Sequence, residues 1–344
     1  MSTARQEDAG LLIKNDLSGV LPHRAHGSTT VKLGVLGPLT VADGCTDRTP
    51  TAPKQRQLLA LLLLNANTTV PVPQLVEELW GFDPPPSAAA AIQTYVKQLR
   101  RTLPARHDPV KRSPLITRGR GYLIEVQPGE LDLERFRHMV DPSHLVNDTL
   151  TIARTYSTAL ALWRGPVLID VKTGPLLQTA AARLEAERFE AVIRLLAAQL
   201  NLGLHRALIA EISALTCRHP TSEALSAQLM LALYRSDRRA DALAEYHRVR
   251  RTLRAEMGTT PGPALQRLNT DIIIGSPRLD PPRQIRTMLS PEHLIGFATG
   301  RTQLPSDPGV RTPGSPKSDR QLALREPTGG RSGVSTVRRA GAAD

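Results

Sequence analysis

Thr94, Lys97, Arg100 and Arg101 recur three and four residues apart, and further along Arg118 and Arg120 flank Gly119. Three- and four-residue spacing gathers side chains on one side of a helix. A hydroxyl and three cations with no carboxylate among them offer donors to phosphate oxygens and to the acceptor edges of bases. The Arg118-Gly119-Arg120-Gly121 run lies between two β-rich segments and predicts a hairpin whose tip carries two more guanidinium groups. Across residues 87–120 the cations Lys97, Arg100, Arg101, Arg106, Lys111, Arg112, Arg118 and Arg120 face a single acid, Asp108. A charged face that is merely solvated usually mixes both signs, and this one does not.

Elements to position these residues can be read on either side of them. Ile92, Tyr95, Val96, Leu99 and Leu103 form one apolar stripe, so residues from Ser87, a candidate N-cap, to about 103 are expected to form a helix. On the opposite side of its wheel fall Ala90, Thr94, Lys97 and Arg101, with Gln93, Gln98 and Arg100 on the flanks. Upstream, residues 31–41 are β-rich and broken by Gly and Pro. Pro53 opens a helix that runs through Leu58–Leu64, apolar enough to be buried on most sides, and 72–80 is a short helix stopped by Gly81 and Pro84-Pro85-Pro86. Downstream, 115–126 is the hairpin. Strands, three helices and a basic-tipped hairpin make a winged helix-turn-helix, whose last helix enters the major groove while the wing meets the adjacent backbone.

From Leu131 the pattern is helical almost throughout, with helices expected at 149–163, 178–202, 205–218, 221–235, 238–256 and 261–274. At an offset of about 34 residues Leu195 aligns with Leu229, Ala198 with Ala232, Gly203 with Asp237, Leu208 with Ala242, Ile212 with Tyr246 and Leu215 with Val249. That period belongs to tetratricopeptide helix pairs, which stack to bury a shared face. The fold class expected is therefore mostly α: an N-terminal α+β winged helix followed by an all-α tetratricopeptide-like repeat. The expected divisions are a flexible lead at 1–30, the winged helix at 31–126, the helical repeat at 127–276 and a disordered basic Pro/Gly-rich tail at 277–344.

Composition narrows the function classes. The 344 residues carry a formal net charge of +12, which points to an acidic partner. Two cysteines, Cys45 and Cys217, are too few for a disulfide framework or a four-thiolate zinc site. No apolar run approaches the ~20 residues that span a bilayer, so a cytoplasmic location without membrane contact is expected. The chain contains no Gly-Lys dipeptide, hence no phosphate-binding loop of the Gly-x-x-x-x-Gly-Lys kind, and no Gly-x-Ser-x-Gly elbow. Neither a cofactor, a metal site nor an enzymatic activity is expected.

Four strings resemble one family in order and spacing: Ala52-Pro53-Lys54-Gln55-Arg56-Gln57-Leu58, Leu79-Trp80-Gly81-Phe82-Asp83-Pro84-Pro85, Gln93-Thr94-Tyr95-Val96-Lys97-Gln98-Leu99-Arg100-Arg101 and Thr117-Arg118-Gly119-Arg120-Gly121-Tyr122. They look like the OmpR-type winged helix of the Streptomyces antibiotic regulatory proteins. Asp132-Leu133-Glu134-Arg135-Phe136, Ala159-Leu160-Ala161-Leu162-Trp163-Arg164-Gly165 and residues 232–246 are similar to the bacterial transcriptional activator domain that follows it in that family. The resemblance places Thr94, Lys97, Arg100 and Arg101 on the recognition helix and Arg118 and Arg120 on the wing. It implies an activator of a secondary-metabolite gene cluster, bound as side-by-side protomers, a homodimer on DNA, to direct repeats in double-stranded DNA, and touching RNA polymerase. Members often carry Ser-Arg where Lys97-Gln98 stands, a departure that bears on which DNA sequence is preferred. The rival reading is a helical-repeat interaction scaffold whose N-terminal domain binds protein or RNA. Against it, RNA readers typically expose stacking aromatics, whereas Tyr95 falls on the apolar stripe.

Overall fold

A computed structural model describes residues 31–104, 113–144 and 148–280. The lead at 1–30, the tail beyond Asp280, and Arg106, Asp108, Lys111 and Arg112 lie outside the described residues.

The described chain begins with a small antiparallel sheet of β1 (Val31–Gly34), β2 (Thr40–Asp43) and β3 (Thr46–Asp47), with Leu33 opposite Val41. Three helices follow: α1 (Pro53–Leu64), α2 (Val72–Trp80) and α3 (Ala88–Thr102). The two-residue strand β4 (Val70–Pro71) joins the hairpin of β5 (Leu115–Arg118) and β6 (Gly121–Ile124) in a second sheet of order β4-β6-β5. Leu58 to Leu63 of α1 are all buried, because that helix is packed by α2, α3, β6 and a helix of the C-terminal half. The short strands β3 and β4 were beyond sequence reasoning, since two residues carry no alternation to read.

The C-terminal half comprises α4 (Asp132–Val140), α5 (Thr149–Leu160), α6 (Pro175–Asn201), α7 (His205–Arg218), α8 (Glu223–Tyr234), α9 (Arg239–Met257) and α10 (Pro263–Ile274). The positions aligned by the 34-residue offset, Leu195 with Leu229, Ile212 with Tyr246 and Leu215 with Val249, are all buried. Gly203 and Asp237 occupy the same left-handed turn, at φ 84° and 65°. Asp is among the few residues with a side chain that visit this region routinely. Trp163 sits in the core, edge-on to Phe136 at 5.2 Å between centroids.

Three expectations need correction. The first helix of this half, α4, lies outside the expected set, its nine residues burying only Leu133 and Phe136 and so giving a short signal. Ser87 holds the N-cap position of α3 but its side chain makes no capping bond: at φ −88°, ψ 8° the backbone is near-helical instead of extended, so the hydroxyl is not aimed at the free amides. The packed chain also continues past Ser276 into a 3₁₀ turn at Pro277–Leu279, where Leu279 is buried and its carbonyl accepts Arg235 Nε at 2.7 Å.

Candidate nucleic-acid interface

The apolar stripe of α3 anchors it: Ile92, Val96 and Leu99 are buried, Leu103 is buried just past the helix end, and Tyr95 is half-buried. The opposite side is open. Ala89, Ala90, Gln93, Thr94, Lys97, Gln98 and Arg101 are all exposed. Thr94 Oγ1 donates to the Ala90 carbonyl one turn back at 3.1 Å, which fixes its rotamer while leaving the hydroxyl oxygen free to accept. Gln98 Oε1 accepts from Gln55 Nε2 at 2.7 Å and ties the outer side of α3 to α1.

The wing stands beside this helix. Arg118 pairs with Gly121 across the hairpin, and Gly119 takes φ 56° as the first of two turn residues, a conformation suited to glycine. Arg118 and Arg120 are exposed at the tip. Among the described residues no ion pair involves Lys97, Arg101, Arg118 or Arg120.

Arg100 differs from the other cations. Its Nε donates to the Leu115 carbonyl at 2.9 Å and its Nη2 to Thr117 Oγ1 at 2.8 Å. The sequence groups Arg100 with the cations expected to contact DNA; in the structure its guanidinium turns back to strand β5 and fastens α3 to the wing. The wheel already sets position 100 on the flank and Arg101 on the outward side; that the flank turns to β5 is decided by the tertiary fold.

Sequence reasoning also missed the junction with the helical half. The Glu78 carboxylate, on α2 and 2% exposed, accepts from the amides of Gly174, Leu176 and Leu177 at 2.6, 2.9 and 3.0 Å, and from Gln57 Nε2 at 3.0 Å. An anion at the N-terminus of α6 satisfies its orphan donors and its dipole together. Gly174 is required there, since a Cβ would collide with the Glu78 carbonyl oxygen. Arg56 pairs with Asp170, whose other oxygen accepts the Leu39 amide at 2.9 Å. Asp132 accepts the Val35 amide at 2.9 Å and the Leu36 amide at 3.1 Å, and receives Arg164 Nη2 at 3.0 Å. The sequence signal for Glu78, an acid within an apolar helix, is indistinguishable from that of its exposed neighbour Glu77.

A buried helix stripe, an opposite side of free cations and small residues, and a basic hairpin tip define a winged-helix transcriptional regulator. Residues 47–124 match the family described as "Transcriptional regulatory protein, C terminal" and residues 131–273 match "Bacterial transcriptional activator domain". The regulatory protein DnrI of Streptomyces peucetius is 40% identical over 258 residues, 73% of this chain and 94% of that one. The regulatory protein AfsR of Streptomyces coelicolor is 37% identical over 79% of this chain, which spans 27% of its length. A solved structure of Mycobacterium tuberculosis EmbR in complex with a low-affinity phosphopeptide superimposes with a TM-score of 0.65 at 35% identity, over 72% of this chain and 66% of that one. The chain belongs to the Streptomyces antibiotic regulatory protein family of transcriptional regulators, and is a regulator and not an enzyme. Among the described residues no helix is long and apolar enough to cross a membrane, and no cluster of His, Cys, Asp or Glu could hold a metal ion.

Proposed function

We propose that the chain activates a secondary-metabolite, antibiotic-type gene cluster by binding direct repeats in double-stranded DNA near a promoter, in the cytoplasm at the nucleoid. The observation that carries DNA binding is the exposed, acid-free side of α3 set beside the wing. Thr94, Lys97 and Arg101 face the major groove in this reading, Arg118 and Arg120 hold adjacent phosphates, and Arg100 is a positioning residue. Direct repeats imply two protomers in one orientation, hence head-to-tail contacts in a homodimer on DNA. RNA polymerase is the second partner, and the fully exposed Phe82 in the turn between α2 and α3 is an apolar side chain available for it. Relatives named as regulators, DnrI among them, support the transcriptional role.

The test is a gel shift of the full chain on random duplex DNA and on single-stranded RNA, followed by sequencing of genomic fragments retained by the protein. Retention of duplex carrying tandem repeats is expected. Preference for single-stranded RNA would overturn the reading.

A further inference from the structure

The α3 surface is not alone in its composition. On α9, His247, Arg250, Arg251 and Arg254 are exposed at spacings of three, four and seven, and therefore share one side of the helix. Ala240 and Ala244, also exposed, extend that side toward the N-terminus. No carboxylate lies on it: Asp241 is taken by Arg238 at 2.7 Å, and Glu245 is buried and bound by Arg248 at 2.7 Å. Elsewhere in the helical half Arg183 is neutralised by Glu187 and Arg194 by Glu190, and arginines without an ion pair among the described residues, such as Arg218 and Arg267, stand singly and not in a row of three on one helix side. Among the described residues Arg250, Arg251 and Arg254 have no ion pair. Arg254, in the last turn, complements the helix dipole, but Arg250 and Arg251 sit too far from the end for that role.

We infer that this arginine stripe on α9 is a second contact to duplex DNA, holding the phosphate backbone beside the segment read by α3 and the wing. The inference rests on the proposed function. From His247 to Arg254 the helix rises about 10 Å, which spans of order three phosphates along one strand. Guanidinium groups match phosphate oxygens in pairs of hydrogen bonds. A protein partner is the poorer fit, because the stripe is cationic along its length and its one large exposed apolar side chain, Met257, stands at the helix end and not at the centre where interface anchors cluster. The junction through Glu78, Asp132 and Asp170 holds the helical half to the winged-helix head.

The test uses the full chain with Arg250, Arg251 and Arg254 all changed to Gln, and a companion with all three changed to Lys. Binding to a random duplex of about 40 base pairs is followed against salt, alongside hydroxyl-radical footprinting and a thermal melt. At about 0.9 per phosphate, the Gln variant is expected to flatten the slope of log K against log salt by about 2 to 3 units and to shorten the footprint at one end. The Lys variant should keep both, and all three proteins should melt alike. Wild-type slope and footprint in the Gln variant would overturn the inference while leaving DNA binding by the head intact. Loss of duplex binding by a variant of the head alone, Arg101→Ala with Arg118→Ala, bears on the proposed function instead. A Gln variant that binds DNA as wild type but loses retention of an acidic protein would also overturn the inference, assigning the stripe to that partner.

Discussion

Charge is used in opposite ways on the open side of α3 with the wing and at the junction with the helical half. On α3 and the wing, Lys97, Arg101, Arg118 and Arg120 stand exposed, with no ion pair to a carboxylate among the described residues. At the junction the buried Glu78 accepts four bonds, while the half-buried Asp132 accepts the Val35 and Leu36 amides and pairs with Arg164, and Asp170 pairs with Arg56. An exposed cation costs little to leave unpaired and is ready for an outside anion, whereas a buried carboxylate is tolerable only when fully satisfied. The first arrangement serves binding and the second serves orientation. Arg100 lies between them, a cation of the recognition helix given over to holding the wing.

The contrast can be broken most severely within α3 itself. Ile92→Asp puts an unpaired carboxylate into a fully buried position and should unfold the head, at a cost of about 3 kcal/mol or more. Thr94→Ala, on the exposed side, should leave the melt unchanged and alter base preference. Equal losses of stability from the two would mean that the faces of α3 are misassigned.

At the junction, Glu78→Ala leaves the Gly174, Leu176 and Leu177 amides without their acceptor, while Gln57 Nε2 keeps the backbone carbonyl of position 78, and should cost about 3 kcal/mol. Denaturant melts would register it. Salt dependence of DNA binding should stay near wild type, because no phosphate contact is removed; a flattened slope would show that Glu78 shapes the binding surface itself.

A smaller and more specific effect is expected at Arg101. If its guanidinium grips a guanine, Arg101→Ala should weaken operator binding by about 1–3 kcal/mol and random duplex hardly at all. An equal loss on both would make Arg101 a phosphate clamp, with specificity left to Thr94, Lys97 or DNA shape.

The readable part of this fold was whatever repeats. The α3 stripe of Ile92, Val96 and Leu99, the basic hairpin tip, and the 34-residue echo between α6–α7 and α8–α9 all follow from spacing, and α2 spans 72–80 as its stop signals require. Single long-range contacts were not readable. Nothing in the sequence pairs Glu78 with Gly174 or Arg100 with Thr117, because each bond joins segments whose meeting only the tertiary fold decides. One helix start misled for a related reason: Ser87 stands at the N-cap with the right side chain for a cap but the wrong backbone, φ −88° and ψ 8°.

The central claim is that the free cations of the head bind duplex DNA through its phosphates. The most direct measurement compares wild type with Lys97, Arg101, Arg118 and Arg120 all changed to Ala, on a random duplex across a range of salt. The two phosphate contacts of Arg118 and Arg120, at about 0.9 each, predict that the slope of log K against log salt becomes at least about 1.8 units shallower per bound protomer, with the melting temperature preserved. A slope unchanged by losing all four, in a protein that still folds, would contradict the account.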